Sequence, residues 1–105
     1  MTRDDFKIIE ELRKDFVSYK KEIFKFKFHQ VYHKDGWYIY QVNDNWFEVF
    51  KETIANKLMK VNGELTHSDE IGKVRYPSGN DFGFWAWNVV TMEDALAIIA
   101  KKSLK

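Results

Sequence analysis

The stretch from Phe24 to Phe50 reads FKFKFHQVYHKDGWYIYQVNDNWFEVF and contains three apolar runs separated by two turn-forming segments. In the first run, Phe24, Phe26 and Phe28 alternate with charged or polar residues, which is the period of a strand buried on one face. The second run, residues 37–42, is aromatic and β-branched, a composition typical of strands. The stretch therefore predicts an antiparallel meander of three strands.

The first turn, Lys34-Asp35-Gly36, decides which residues share a face of this meander. A two-residue loop of Asp35 and Gly36, in a type I′ turn, would place Phe28 opposite Asn43. A three-residue loop, with Gly36 in the left-handed conformation, gathers the aromatic residues on one face instead. Because a one-residue slip would reverse this sorting, we favour the three-residue loop with a bulge at Gly36. It predicts these cross-strand pairs: Phe28 with Val42, Gln30 with Tyr40, and Tyr32 with Tyr38.

The second turn, Asn43-Asp44-Asn45, predicts a second face that is partly apolar. A loop of Asp44 and Asn45 pairs Val42 with Phe47, so that Phe47 and Val49 join the aromatic core face. Since two helices can cover only one side of a small sheet, the second face is left either to the segment over residues 51–73 or to a binding partner. In the second case its tryptophans are expected to be partly exposed or buried in a self-association interface. Its candidate binding residues are Lys25, Lys27, Trp37, Ile39, Trp46 and Phe50.

The composition bounds the class of protein. A chain of 105 residues with 45% hydrophobic and 17% aromatic residues predicts one folded domain over residues 1–105. The chain has no cysteine, which excludes thiolate chemistry and cysteine-ligated zinc. No apolar run is long enough to span a bilayer and no apolar signal region is present, so we expect a cytoplasmic protein without a membrane partner.

Helices are predicted at both ends of the chain. After a capping-box pattern of Thr2 and Asp5, apolar residues at helical spacing predict a helix from about Arg3 to Lys21: Phe6, Ile9, Leu12, Phe16 and Tyr19. A second capping-box variant at Thr91 opens a C-terminal helix with this apolar stripe: Met92, Ala95, Leu96 and Ile99.

The remaining segments complete the predicted fold. Residues 51–73 give mixed helix and strand signals around a strong turn signal at Asn62-Gly63. A structured loop over 76–83 leads into a strand over 84–90. The predicted fold is α+β, in the order α-β-β-β-β-α, with an antiparallel sheet of about four strands and two helices in a two-layer sandwich.

No group of side chains forms a recognisable catalytic or metal-binding constellation. His29 and His33 would lie about 13 Å apart on a strand that rises ~3.3 Å per residue, too far to share one metal. His67 lies in the polar segment His67-Ser68-Asp69-Glu70, which is predicted to be a loop. Ser78 lies in a Pro-Ser-Gly turn rather than a nucleophile elbow. We therefore expect a protein that is not an enzyme and that holds no cofactor or metal.

The segment from Arg75 to Trp87 carries a distinctive pattern. Its Tyr76-Pro77-Ser78-x-x-Asp81-Phe82-Gly83 core and its Trp85-Ala86-Trp87 run are followed by Thr91 and by Ala95-Leu96. This pattern resembles one found in small uncharacterised proteins of phages and bacterial mobile elements. The resemblance covers roughly the C-terminal third of the chain, and it implies a small intracellular accessory protein without implying an activity.

Two functions remain as expectations. The first is an accessory or protein-interaction module that binds another protein, or a second copy of itself, through the second sheet face. The alternative is a nucleic-acid-binding domain that stacks bases on Trp37 beside Lys25 and Lys27. The formal net charge of +1 gives little overall attraction for nucleic acid, which favours the first function.

Overall fold

The computed structural model describes residues 2–20 and 24–103. These residues form eight strands in two sheets and one C-terminal α-helix, so the fold is mostly β and the predicted α+β sandwich of four strands and two helices is wrong. The elements are β1 Ile8–Glu10, β2 Asp15–Lys20, β3 Phe24–Lys34, β4 Trp37–Val42, β5 Trp46–Lys51, β6 Ile54–Val61, β7 Glu64–Val74, β8 Ala86–Val89 and α1 Met92–Ser103.

The chain divides into two compact units. The first consists of Met1–Leu12 and Glu52–Tyr76, and the second consists of Arg13–Lys51 and Pro77–Lys105. Each unit contains one of the two sheets, and each is described by itself below. The expectation of one domain over residues 1–105 stays a prediction.

The first unit is a three-stranded sheet in the order β1-β7-β6. β1 runs parallel to β7, and β6 and β7 form a long antiparallel hairpin. Asn62 and Gly63 close this hairpin with φ angles of 51° and 84°, which confirms the turn predicted from the Asn-Gly pair. At the base of the hairpin, Phe6, Ile54 and Val74 are buried and form the core of the unit.

Residues 3–20 do not form the predicted N-terminal helix, and its predicted end at Lys21 lies outside the described residues. The capping box exists, since the Thr2 backbone N–H donates to Asp5 Oδ2 at 2.7 Å, but it stabilises only a single 3₁₀ turn. The chain then enters β1 and β2, which gain backbone partners in β7 and β3. Because β-branched residues such as Ile9 and Val17 suit a strand, this long-range pairing prevails over the helical spacing.

The second unit is a five-stranded antiparallel sheet in the order β2-β3-β4-β5-β8, with α1 against one face. We call this side, which carries Trp37 and Ile39, the helix face. The opposite side, which carries Tyr38 and Tyr40, we call the aromatic face.

The C-terminal helix was predicted correctly, although one of its predicted core residues was not. Thr91 Oγ1 accepts a hydrogen bond from the Asp94 backbone N–H at 3.1 Å and so fixes the start of α1. Ala95 is fully buried against the sheet, whereas Leu96, expected in the core, is 41% exposed. The side chains of α1 that pack on the sheet are Met92, Ala95, Ile98 and Ile99.

The turn between β3 and β4 contains two residues rather than the predicted three. Asp35 and Gly36 have φ angles of 53° and 80°, and Lys34 pairs directly with Trp37. The positive φ of Gly36 is therefore confirmed, but it belongs to a two-residue turn of the type I′ kind, in which both central residues are left-handed.

A bulge in β3 restores the register that the aromatic pattern requires. The register shifts between Gln30 and Tyr32, so that Val31 has no partner in β4. Tyr32 consequently pairs with Ile39 rather than with Tyr38. Beyond the bulge, two predicted pairs are confirmed: Phe28 with Val42 and Gln30 with Tyr40.

The turn between β4 and β5 is one residue longer than predicted. Val42 pairs with Trp46, so the loop consists of Asn43, Asp44 and Asn45. Asn43 and Asp44 have φ angles of 51° and 63°, a conformation that asparagine and aspartate tolerate better than most residues. The extra residue reverses the predicted faces of β5: Trp46 and Phe50 lie on the aromatic face, while Phe47 and Val49 lie on the helix face.

The last strand is shorter than the predicted span of 84–90. β8 pairs only Ala86–Val89 with β5, and the flanking Phe84 and Val90 are exposed. In the preceding loop, the Ser78 backbone N–H donates to Asp81 Oδ2 at 2.8 Å and caps a single 3₁₀ turn. The predicted loop over residues 76–83 is thus confirmed as a structured connection.

Candidate functional site

The predicted binding residues do not form one exposed surface. Trp37 and Ile39 lie on the helix face and are buried, with Trp37 only 4% exposed beside Ala95 of α1. Phe50 is buried on the opposite, aromatic face, where its ring stacks on Tyr38 with centroids 5.2 Å apart. The expectation that Trp37 is exposed is therefore wrong, because α1 covers this part of the sheet.

Trp46 keeps part of its surface exposed, as expected, but on the aromatic face. Its ring meets Phe26 edge-on at a centroid distance of 5.9 Å. Its indole Nε1–H donates to Glu48 Oε2 at 3.0 Å, which gives the half-buried indole a hydrogen-bond acceptor. Trp46 thus contributes to the sheet's own packing.

Lys25 and Lys27 are exposed on the part of the helix face that belongs to β3. Lys27 borders an open groove of about 430 Å³ in which acidic and basic groups are mixed. His29 Nδ1 lies 2.5 Å from Asp15 Oδ1 at this groove. The groove is lined by Asp15, Phe16, Val17, Lys27, Phe28, His29, Gln41, Asn43 and Asp44.

Asn43 fixes one wall of this groove by extending the pairing of β3 beyond the end of β4. Its backbone N–H donates to the Lys27 carbonyl oxygen at 3.0 Å, and its side-chain Oδ1 accepts from the Lys27 backbone N–H at 2.7 Å. Its Nδ2 donates to the Lys25 carbonyl oxygen at 3.2 Å. The two lysines therefore project from a backbone that is held in place.

The three residues expected to bind nucleic acid together, Lys25, Lys27 and Trp37, do not form one exposed surface. Base stacking requires an exposed aromatic ring beside the cations, and Trp37, the ring proposed for that role, is buried. The carboxylates of Asp15 and Asp44 border the same groove as Lys27. They would repel a phosphate backbone at the point where the lysine attracts it.

The β6–β7 hairpin exposes apolar side chains near its turn. Leu58 and Leu65 share one face by register, and they are 51% and 68% exposed. Met59 and Val61 share the other face and are also exposed. Both faces of this hairpin end thus present apolar surface to solvent.

The base of the hairpin is held by hydrogen bonds around an irregular step in the strand pairing. The register shifts between Asn56 and Leu58, and the segment around Ser68 bulges on the opposite strand. Asn56 Nδ2 donates to the Ser68 carbonyl oxygen at 2.6 Å, while Ser68 Oγ accepts from the backbone N–H groups of Glu70 and Ile71. The apolar end therefore projects from a fixed base.

Ion pairs tie the rest of the first unit to this base. Lys57 Nζ lies 2.5 Å from Glu10 Oε2, which joins β6 to β1 across the sheet. Arg3 contacts the carboxylates of both Glu11 and Glu52, and these two partners raise the pKa of its guanidinium above the ordinary value. The N-terminal turn is thereby attached to the start of the hairpin segment.

His67 and Asp69, which were predicted to lie in a loop, belong to β7. They border a shallow crevice of about 470 Å³ beside Ile54, Ala55 and Asn56. Across residues 2–20 and 24–103, no cluster of three or more histidine or acidic side chains is placed to hold a metal ion. None of the described helices has the length and apolar character needed to cross a membrane.

The exposed residues of the hairpin were not among the predicted site residues. The Asn62-Gly63 turn was recognised, but the segment that contains Leu58 and Val61 was compatible with either a short helix or a strand. The available signal was the pattern on both sides of the turn, in which apolar residues occupy both strand faces rather than alternate with polar ones. A two-stranded segment of that kind has no single core face.

Comparison with known proteins does not assign a family. No protein-family model matches the chain, and neither a curated protein nor a solved structure resembles it significantly. Function is therefore inferred from the described residues themselves.

Proposed function

We propose that this chain is a non-enzymatic accessory protein, a protein-interaction module that binds another protein through the end of the β6–β7 hairpin. The observation that carries the proposal is the exposure of large apolar side chains on both faces of the hairpin end: Leu58, Met59, Val61 and Leu65. Contiguous exposed apolar patches on a protein surface mark interaction sites.

Burial of these side chains would supply the free energy of association. Each Leu, Val or Met side chain transferred from water into an interface contributes about 1.5–3 kcal/mol when it is fully buried. Because the hairpin base is held by the Asn56–Ser68 hydrogen bond and the Lys57–Glu10 ion pair, little conformational freedom would be lost on binding. A fixed apolar end of this kind suits recognition of a protein.

The tip of the hairpin favours a protein partner over a lipid bilayer. The chain reverses at Asn62-Gly63, and Glu64 follows immediately at the tip. Insertion of this end into a bilayer would carry a carboxylate into the hydrocarbon region, which is costly. A protein surface can instead leave the polar tip in water while it covers the flanking apolar side chains.

The alternative role, nucleic-acid binding by Lys25, Lys27 and Trp37, has less support. The two lysines are exposed but the tryptophan is buried, and two carboxylates border the groove beside them. We therefore propose the hairpin, rather than the β3 surface, as the binding site.

The proposal is tested with a paired substitution and a matched control. Leu58→Ser with Leu65→Ser removes exposed apolar surface from one face of the hairpin. Phe84→Ser with Val90→Ser removes exposed apolar surface from the second unit and serves as the control. Both double variants should keep the wild-type circular dichroism spectrum and melting temperature.

The readout is crosslinking in the native host with a photoreactive amino acid at Met59. The wild-type chain and the Phe84/Val90 variant should form the same crosslinked protein species, and the Leu58/Leu65 variant should lose it. The species should survive nuclease treatment. Equal crosslinking by both double variants would overturn the proposal, and so would a crosslinked species that disappears with nuclease.

A further inference from the structure

The geometry points to a partner of definite chemistry: an extended peptide segment of alternating apolar and acidic residues, which adds as a new strand to the free edge of β6. This inference rests on the proposed function, because it specifies how the hairpin would bind another protein. Three features of β6 carry it, namely its unpaired edge, the direction of its backbone groups and its charge.

β6 is an edge strand among the described residues. In the order β1-β7-β6 its only strand neighbour is β7, so one side of β6 has no strand partner in the part of the chain that the structure describes. Edge strands offer a row of backbone donors and acceptors to any extended segment of suitable side chains. The regular part of this edge is short, because the register shift at Lys57 interrupts it.

The turn fixes which backbone groups point outward. Val61 pairs with Glu64 across the two-residue turn, and in such hairpins the pair that flanks the turn is hydrogen-bonded. Pairs then alternate along an antiparallel ladder. The backbone groups of Met59 and Val61 therefore point toward β7, while the N–H and C=O groups of Leu58 and Lys60 point to the free edge.

The side chains beside this edge define the complementary sequence. Leu58 and Lys60 lie on one face, and Met59 and Val61 lie on the other. β6 contains no acidic residue, and its two lysines are Lys57, which is already paired with Glu10, and Lys60. Because opposite charges on facing or diagonal positions stabilise strand pairs, a carboxylate near Lys60 and apolar side chains beside Met59 and Val61 are favoured.

A second copy of the chain fits this edge less well. Antiparallel pairing of two β6 strands about Met59 would place the two Lys60 side chains on diagonal positions of one face, and pairing about Lys60 would place them directly opposite. Like charges in such positions are destabilising. Lysine on an edge strand is also a common means of preventing edge-to-edge self-association.

The inference is tested with fluorescein-labelled peptides eight residues long, the length of β6. Three peptides alternate valine with glutamate, with threonine or with lysine. Fluorescence anisotropy against the full chain should give the tightest binding for the valine–glutamate peptide. Each favourable charge contact should improve affinity about fivefold, which corresponds to the upper range of cross-strand pair energies.

Two controls separate strand addition from nonspecific binding. Lys60→Glu should reverse the preference between the glutamate and lysine peptides. Lys101→Glu, at an exposed position of α1, changes the net charge by the same amount and should leave the preference unchanged. N-methylation of every second peptide amide, in the set whose N–H groups face β6, should abolish binding, because it removes the hydrogen bonds to β6. N-methylation of the other set of amides, whose N–H groups point away from β6, should be tolerated.

The outcomes distinguish this inference from the proposed function. The inference is overturned if no peptide binds below about 1 mM, the weak limit of useful affinity, or if both N-methylated peptides bind alike. In that case retention of the Met59 crosslink would leave the proposed function standing. Hydrogen exchange of the Leu58 and Lys60 amides is also measured without peptide. If their protection grows with protein concentration, the occupant is a second copy of the chain, and the inference is overturned.

Discussion

The Tyr40 hydroxyl donates a hydrogen bond to the backbone carbonyl oxygen of Arg13 at 2.7 Å. The same hydroxyl accepts a hydrogen bond from Gln30 Nε2 at 2.9 Å. Tyr40 is fully buried, so a phenol in the sheet joins β4 to the segment that leads into β2. The link depends on the phenolic proton, since a phenolate has no hydrogen to donate to Arg13.

This link predicts a loss of stability at alkaline pH. Burial raises the pKa of Tyr40 above its ordinary value of 10.0; the charge of Asp15 also raises it, and the Gln30 hydrogen bond lowers it. Because the folded state holds the proton more tightly than the unfolded state, the stabilisation is fully present below pH 10 and is lost as the pH rises through the raised pKa.

Comparison with Tyr40→Phe isolates the contribution of Tyr40 from that of other alkaline groups. At pH 8 the wild-type chain should exceed the variant by about 1 kcal/mol in free energy of unfolding, the usual net value of a hydrogen bond. Urea unfolding at a series of pH values should show this difference shrinking above pH 10. A difference that stays constant into the alkaline range would contradict the assigned role of the phenolic proton.

Gly36 predicts a purely conformational penalty. Its φ of 80° is left-handed, and a Cβ added there would meet no atom within 4 Å. Gly36→Val should therefore destabilise the second unit by about 1–2 kcal/mol, the cost of a left-handed conformation for a residue with a Cβ. Gly79→Val is the matched control, because Gly79 has equal space and no left-handed φ. Equal losses in chemical denaturation would show that backbone strain is not the cause.

Gly72 predicts the opposite kind of penalty, a steric one. A Cβ at this position would lie 2.6 Å from Phe6 Cδ2 and 2.8 Å from Ile54 Cγ2. Gly72→Ala should destabilise the first unit by about 1–3 kcal/mol, the usual cost of overpacking a core. Adding Phe6→Leu should recover part of that loss, because it makes room for the methyl group. Additive losses in the double variant would refute the direct contact.

Trp37 predicts a large loss of stability rather than a loss of binding. Trp37→Ala would leave a cavity between the sheet and α1, at a cost of about 3–5 kcal/mol. Trp46→Ala should cost less because Trp46 is partly exposed. Phe84→Ala, at a residue that is 81% exposed, should change the free energy of unfolding by less than about 0.5 kcal/mol. If Trp37→Ala unfolds no more readily than Phe84→Ala, α1 does not cover this face.

The sequence predicted the strands of the meander better than the lengths of its turns. The pairing of Phe28 with Val42 followed from sorting the aromatic side chains, and it is confirmed. The bulge at Val31 was not predictable in the same way, since a longer turn and a bulge both add one residue and satisfy the same pattern. At Asn43 the turn contains one residue more than predicted, and this extra residue reversed the predicted faces of β5.

The N-terminal segment shows a different limit. Its apolar spacing from Phe6 to Tyr19 is compatible with a helix, and the capping box at Thr2 is present. What decides the outcome is the availability of distant strands, β7 for Ile8 and β3 for Phe16, and local spacing carries no information about them. The predicted exposure of Trp37 and Ile39 is wrong for the same reason, because the coverage of these residues by α1 depends on tertiary packing.

The parallel pairing of β1 with β7 has a consequence for the order in which the chain folds during synthesis. Ile8 and Ile9 leave the ribosome early, but their partners Ile71 and Gly72 are made much later. In the interval, the meander of β3, β4 and β5 can form from neighbouring segments, whereas β1 must wait without a partner. Contacts between distant parts of a chain form slowly. A nascent chain arrested before Ile71 should therefore expose the Ile8–Glu10 segment to protease, and the completed chain should protect it.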